Sequence, residues 1–213
     1  MSAQDCPVSQ GKAMHGLINR SIQSFVCDTY GRAVWLEVTA TADIGFDNFE
    51  ALLTYDDALT QGLIDAITVT LDKPADTVLE DIGTYLVSHR NLEPLRRLLR
   101  FGGVDFREFL HSLDDLHDRA KLAVPDLDIP RIEVTGRDPG VFGVTCRWTM
   151  AGFGHVLVGI LRAMADDYGD LVFLEHEGSE GMAETVKITL VETAFAEGRS
   201  FDLPAATGLG GDV

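Results

Sequence analysis

Apolar residues in the first half of the chain recur every three or four positions, the spacing of helices with one buried face. The apolar residues of the first such stretch, 14–31, lie on one side: Leu17, Ile18, Ile22, Phe25 and Val26. Gly31 then fits the end of that helix as a C-cap. The same spacing recurs in three further segments: 55–71, 78–89 and 92–103. We therefore predict that this half is helical.

The second half of the chain changes period. "RIEVTG" and "VFGVTCRW" alternate as strands around an Asp138-Pro139-Gly140 turn, and "DLVFLEHE" and "TVKITLVET" alternate as a second pair joined by "GSEGMA". Between the pairs, "GHVLVGILRAMADDYG" is a strongly apolar helix that closes on Gly169. Helices followed by strands around a helix predict an α+β fold, with a helical N-terminal part packed on a C-terminal part that contains a small antiparallel sheet.

The predicted domain boundaries follow from these patterns. We expect one domain over residues 14–195, divided into a helical part at 14–100 and an α/β part at 101–195. Residues 1–13 and 196–213 are rich in small and polar residues, so we expect a flexible N-terminal extension and a flexible tail.

Charge excludes some classes of partner. The 34 acidic and 17 basic side chains give a net charge of −17, which repels phosphate backbones and anionic lipid, so we expect neither nucleic acid nor membrane as a partner. The three cysteines show no CxxC spacing, so neither a disulfide framework nor a structural zinc site is indicated. No signal peptide is apparent, and we expect a cytoplasmic protein.

Enzyme motifs are missing from the sequence as well. There is no GxSxG elbow, no Walker loop, and no GxGxxG between a strand and a helix. The adjacent aspartates along the chain fit solvated helix faces better than a catalytic pair. We predict that the chain is not an enzyme.

The segment "FLHSLDDLHDRAK", residues 109–121, reads as one helix that carries two histidines. At about 100° per residue, His117 projects into the apolar stripe near Leu113, whereas His111 projects among aspartates toward solvent. An inward imidazole has two readings. It is more commonly a core histidine with satisfied nitrogens, and less commonly a neutral ligand of a metal or of haem iron.

Two segments favour the ligand reading because they resemble one family, the haem-nitric oxide/oxygen binding (H-NOX) domains. "MHGLINRSIQSFVCDTYGRAVWLEV", residues 14–38, resembles the start of these domains, with its M-x-G-x-x-N and its later Tyr-Gly and Trp. "VDFREFLHSLDDLHDRAKLAVPDLDIP" resembles the helix with the F-L-x-x-L-x-x-L-H run that includes Leu113. The resemblance covers roughly residues 14–193. It implies an H-NOX-like fold, a haem b cofactor, His117 as the iron ligand and Pro130 packed against the porphyrin.

One motif departs from the family. H-NOX domains hold the haem propionates with Y-x-S-x-R, and in register with Gly152 this chain has Cys146, Trp148 and Met150 at those three positions. Charge-assisted hydrogen bonds to the propionates are worth about 1.5–3 kcal/mol each, so we expect a large loss of haem affinity. Arg137 is a possible substitute on a loop, whereas Arg147 alternates to the opposite face of its strand.

The resemblance also assigns the side of the haem where gases bind. The residues in question are Ile18, Leu86, Val156 and Ile160. All four are apolar and offer no hydrogen bond to bound oxygen, so haem here should favour NO or CO. Two hypotheses stay open. One is a haem-dependent NO sensor that signals in trans to a separate histidine kinase or diguanylate cyclase. The other is a haem-free or cofactor-altered regulatory module that binds another apolar ligand or a partner protein.

Overall fold

The computed structural model describes residues 13–191 of the chain. Its helices are α1 (Gly16–Tyr30), α2 (Arg32–Thr41), α3 (Asp57–Leu71), α4 (Ala75–Ser88), α5 (Glu93–Arg100), α6 (Phe106–Ser112), α7 (Leu116–Ala123) and α8 (Phe153–Tyr168). Its strands are β1 (Ala13–His15), β2 (Thr54–Asp56), β3 (Arg131–Asp138), β4 (Val141–Arg147), β5 (Val172–Glu180) and β6 (Ala183–Leu190). The α+β prediction is confirmed. The expected extension and tail lie almost entirely outside the described residues.

The first half forms a helical layer with its own core. His15 is the N-cap of helix α1, and its Nδ1 accepts a hydrogen bond from the Leu17 amide at 3.2 Å. Gly31 is the C-cap and has φ of 94°. A positive φ there favours glycine. Trp35 of α2 is fully buried and donates its indole N–H to the Asp47 carbonyl at 2.7 Å. The predicted apolar face of α1 packs into this core through Ile22, Phe25 and Val26. Leu17 and Ile18, at the edge of that face, are only half-buried.

The second half contains an antiparallel sheet with strand order β3-β4-β6-β5. One face of the sheet packs on α8 and α6, where Val144, Val186 and Ile188 are fully buried. The β5–β6 hairpin is tighter than expected. The strands extend through most of the predicted "GSEGMA" loop and leave a turn at Gly181, which has φ of 62°.

Two glycines let α4 and α8 pack at close range and so join the helical layer to the sheet layer. A Cβ on Gly83 would lie 2.0 Å from the Val156 carbonyl oxygen, and a Cβ on Gly159 would lie 2.1 Å from the Glu80 carbonyl oxygen. No larger side chain fits at either position without separating the helices. This contact fixes the spacing between the two halves of the domain.

The helix predicted over residues 109–121 is in fact broken, which corrects the sequence reading. Helix α6 ends at Ser112, residues 113–115 form a 3₁₀ turn, and α7 starts at Leu116. Polar side chains take over the backbone groups at the break: Arg119 donates to the Ser112 carbonyl at 2.7 Å, and Asp114 accepts from the Val134 amide at 2.7 Å. These side-chain bonds satisfy backbone groups at the break that a continuous helix would otherwise pair.

Candidate functional site

An apolar cavity of about 240 Å³ lies between the helical layer and the sheet layer. Seven of the ten residues that the sequence assigned to a cofactor line it: Ile18, Leu86, Pro130, Trp148, Met150, Val156 and Ile160. The other three, Leu113, His117 and Cys146, are not among the lining residues. Among the described residues, two lining side chains carry an N–H or O–H group: Ser21, with its hydroxyl, and Trp148, with its indole N–H. The cavity therefore suits an apolar ligand.

His117 lies beside the cavity. Its neighbour in the chain, Leu116, lines the cavity, and so does Ile129, whose carbonyl oxygen is 2.9 Å from the His117 Nδ1. His117 is only 7% exposed, as its place in the apolar stripe predicted, whereas His111 is exposed. The buried imidazole is thus held in one orientation through Nδ1.

The second nitrogen of His117 is the unusual feature of this site. Nε2 is buried and, among the residues that the structure describes, has no hydrogen-bond partner. A carbonyl oxygen can only accept, so Nδ1 carries the proton, and in a neutral ring Nε2 then carries a lone pair. Buried polar atoms are nearly always satisfied. An oriented imidazole with a free lone pair is the arrangement that metal-binding histidines use.

Cys146 and Leu113 belong to the core of the second half and not to the cavity wall. Cys146 is buried, and its Sγ lies 3.5 Å from the Glu184 carbonyl oxygen. Burial, and then the Glu184 carboxylate, raise the pKa of this thiol to about 12. Cys146 is therefore a protonated core residue at neutral pH, away from any ligand in the cavity.

The residues around the cavity fit only part of a haem group. The His117 lone pair suits the iron, and the apolar walls suit the faces of the macrocycle. Within residues 13–191, no arginine or lysine lines the cavity, so no described cation there pairs with the propionates. The volume is also below the ~300–1,000 Å³ of sites for drug-sized ligands. Trp148 and Met150 would have to move to widen the cavity for a macrocycle.

Neither Arg137 nor Arg147 is among the residues that line the cavity. Arg137 lies on β3 and forms a forked pair with Glu177, at 2.7 and 2.6 Å. That pairing raises the pKa of Arg137 and lowers the pKa of Glu177. The expectation that Arg137 could turn toward the cofactor from a loop is therefore wrong. Arg147 lies on the solvent side of the sheet, as predicted, 4.0 Å from Glu133.

Sequence reasoning missed part of the cavity wall. Leu79 and Ile82 of α4 line it two turns and one turn before Leu86, and Leu95 of α5 lines it from the side. The spacing of Leu79, Ile82 and Leu86 at i, i+3 and i+7 carries a signal that was available. Leu95 sits in a short arginine-rich helix, where nothing in the pattern pointed to a ligand.

A polar cluster at the start of α8 was also missed. The buried Glu184 carboxylate accepts hydrogen bonds from the amides of Gly152 at 2.6 Å and Gly154 at 3.0 Å, and its Oε2 lies 3.1 Å from His176. The His176 ring stacks on His155 with 4.2 Å between centroids. A carboxylate at a helix N-terminus is favourable. The cluster therefore anchors α8 to the sheet.

Within residues 13–191, no group of three or more His, Cys, Asp or Glu side chains is arranged to hold a metal ion by itself. None of the described helices is both long enough and apolar enough to cross a membrane.

The fold and cavity define a class: an α+β ligand-binding domain whose apolar cavity, flanked by an oriented imidazole, lies between two layers. The family is more specific. Residues 15–176 match the family model for Haem-NO-binding (HNOB) domains, so the chain belongs to this family. The H-NOX resemblance in the sequence is confirmed.

Solved structures agree with this fold. The chain is similar to the Fe(II) unliganded H-NOX protein of K. algicida, with a TM-score of 0.71 and 17% identity, over 85% of this chain and 98% of that one. It is also similar to an H-NOX protein of S. oneidensis in the Fe(II)NO ligation state, with a TM-score of 0.68 and 16% identity, over 84% and 99% of the two chains.

Relatives in sequence are much longer proteins. Soluble guanylate cyclase 89Da of Drosophila melanogaster is 22% identical over 182 residues, which is 83% of this chain and 27% of that protein. Soluble guanylate cyclase gcy-31 of Caenorhabditis elegans is 26% identical over 154 residues, 72% of this chain and 22% of that protein. The chain thus spans about a quarter of the length of these relatives and corresponds to a sensor domain.

Proposed function

We propose that this chain is a haem-dependent sensor of nitric oxide or carbon monoxide, with His117 as the protein ligand of the iron. The observation that carries the proposal is the buried Nε2 of His117, which has no partner while Nδ1 is tied to the Ile129 carbonyl. When bound, haem b would be held through His117 and would supply an iron for the gas.

The cavity wall supports selection of NO or CO over oxygen. The four side chains assigned to the gas-binding side, Ile18, Leu86, Val156 and Ile160, have no polar atoms. The hydroxyl of Ser21 already donates to the Leu17 carbonyl at 2.8 Å. Bound oxygen is stabilised by a hydrogen-bond donor, which NO and CO do not require.

The contacts of His117 suggest how occupation of the site reaches the surface. His117 lies on α7, and its bond to Ile129 joins α7 to the segment that leads through Pro130 into β3. A change in what His117 Nε2 binds would therefore act on both α7 and β3. A two-state shift of these elements is the kind of change that a ligand can bias.

The proposed output is a partner protein. We propose signalling in trans, to a histidine kinase or a diguanylate cyclase in the cytoplasm. The NO-ligated S. oneidensis neighbour, which this chain resembles in fold, supports the gas ligand only by analogy.

The test is the absorption spectrum of the full chain after reconstitution with haem. Wild type should show a Soret band that shifts on adding NO, and His117→Ala should lose the band or shift it. His111→Ala is the matched control, because His111 is exposed and should leave the spectrum unchanged. A Soret band that is the same in wild type and His117→Ala would refute the proposal.

A second candidate function is favoured by the missing anchors. Trp148 and Met150 line the cavity where the family has a serine and an arginine, and no cation lines it. We therefore also propose, as the alternative, a haem-free module that binds an uncharged apolar ligand or a partner. A chain that stays colourless with haem, but whose thermal midpoint rises with a neutral hydrophobic compound, would support this alternative.

A further inference from the structure

The basic residues of this acidic chain are concentrated in one stretch. Residues 90–107 contain five of the 17 basic side chains and two of the 34 acidic ones, a local charge of +3. The rest of the chain carries 12 basic and 32 acidic residues, a charge of −20. All five basic residues in the stretch are arginines, the cation that interfaces favour. The stretch includes α5.

Helix α5 separates its apolar and charged sides. Leu99 is buried and Leu95 lines the cavity, so these residues point inward. Arg96, Arg97 and Arg100 point outward and, together with Phe101, line an open concavity of about 570 Å³. We call these four residues the α5 face.

Ion pairs within the chain do not fully neutralise the positive charge of the α5 face. Arg96 and Arg100 share one carboxylate, that of Asp167, whose side chain is only 10% exposed. Arg97 pairs with Glu93 on the same helix turn at 2.6 Å. Two guanidinium groups on one buried carboxylate leave an excess positive charge. All three guanidinium groups also keep much of their surface in solvent.

An exposed aromatic ring lies among these charges. Phe101 is 92% exposed, and Val104, three residues later, is 86% exposed. A single exposed apolar residue is ordinary. An aromatic ring beside several arginines, however, has the composition of the residues that dominate binding energy in protein interfaces.

We propose that the α5 face is the docking site for a partner protein, specifically for an acidic segment that carries an aromatic or aliphatic side chain. Charge complementarity selects this occupant: a carboxylate-bearing segment is attracted to the arginines, and its apolar side chain covers Phe101. A basic segment is instead drawn to the remaining surface, which is strongly negative. The proposal does not depend on haem.

The position of α5 gives the docking site a link to the cavity. One side of this two-turn helix carries Leu95 in the cavity wall, and the other carries the α5 face. Tyr168 at the end of α8 holds the C-terminal end of α5, because its hydroxyl donates to the carbonyls of Arg100 or Gly103 at 3.2 and 3.0 Å. A partner docked here therefore contacts an element that also forms part of the cavity wall.

The experiment measures binding of labelled synthetic peptides to the full chain by fluorescence anisotropy, at low and at physiological ionic strength. The probes are an acidic peptide containing Phe and Leu, the same peptide with Ser in place of Phe and Leu, and a version with Lys in place of the acidic residues. The acidic apolar probe should bind best, and salt should weaken it. The lysine probe should not respond to changes in the α5 face.

The variant is the double substitution Arg97→Glu with Phe101→Ser, both at exposed positions. Its matched control is Arg147→Glu with Phe173→Ser, which removes the same charge and the same exposed ring from the sheet. The first should weaken the acidic apolar probe by at least about tenfold, and the control should not.

Three results would overturn the proposal. The first is absence of binding at low ionic strength, or equal binding by the two double variants. The second is a dimer of the wild type that Phe101→Ser converts to a monomer, which would assign the α5 face to a second copy. The third is cross-linking of the α5 face to residues 192–213 of the same chain. Since all these measurements are made without haem, they leave the proposed gas sensing untouched.

Discussion

Replacing Met150 with arginine puts a cation in the cavity wall, at the position where the sequence alignment expects the arginine of the H-NOX propionate motif, and is the most informative single change at the cavity. Met150 lines the cavity and is half-buried, so an arginine there can reach a ligand carboxylate without leaving solvent completely. Trp148→Ser in the same chain would remove the bulk of the neighbouring indole. Cys146→Tyr is unsuitable, because Cys146 lies in the packed core and a tyrosine would overfill it.

The size of the effect follows from the chemistry of the new bond. A hydrogen bond to a charged group contributes about 1.5–3 kcal/mol, which corresponds to roughly a 10- to 150-fold change in affinity. Solvent screens a half-buried pair, so we expect the lower end, about tenfold tighter haem binding. Without haem, the same arginine has no partner in an apolar wall and should lower the thermal midpoint.

The assay is a titration of the haem-free chain with haem, followed at the Soret band, together with thermal unfolding of both forms. Met182→Arg is the matched control. It adds the same charge at a position in the β5–β6 turn that is 64% exposed. The reasoning is refuted if Met150→Arg binds haem no more tightly than wild type. It is also refuted if Met182→Arg gives the same gain.

Three further predictions concern packing and titration. Gly159→Ala should lower the free energy of unfolding, because the new Cβ would meet the Glu80 carbonyl. Gly62→Ala is the control: it has open space around it and should raise the free energy of unfolding by up to ~1 kcal/mol. Urea unfolding measures both. Thiol reagents at pH 8 should leave Cys146 unmodified until the chain unfolds, because its pKa is about 12. The folded chain holds the Cys146 proton more tightly than the unfolded chain, whose thiol has the ordinary pKa of 9.0. The free energy of unfolding should therefore fall as the pH rises from 9.0 toward 12, and it should fall less steeply in Cys146→Ala.

The sequence predicted the positions of most elements because their periods are clean. The face of α1 and the strands around the Asp138-Pro139-Gly140 turn required only local spacing. The break between α6 and α7 was missed, since it depends on a bond from Arg119 back to Ser112 and on one from Asp114 to a distant strand. Bonds of this kind are tertiary and leave no periodic signal.

The candidate site was predictable to a similar depth. Family resemblance located seven side chains that the fold brings around one cavity, and the apolar stripe predicted that His117 is buried. Cys146 was misplaced because motif register gives a position on a strand but not which core the side chain enters. The state of the two His117 nitrogens depends on the Ile129 carbonyl, twelve residues away, and only coordinates reveal that contact.

The most direct test of the central claim is chemical rescue of the His117 ligand. In His117→Gly, added imidazole can occupy the space of the lost ring, so the Soret spectrum should change on adding imidazole and approach that of wild type. If imidazole leaves the spectrum of His117→Gly unchanged while the variant still binds haem, the iron is held elsewhere and the account of the site is contradicted.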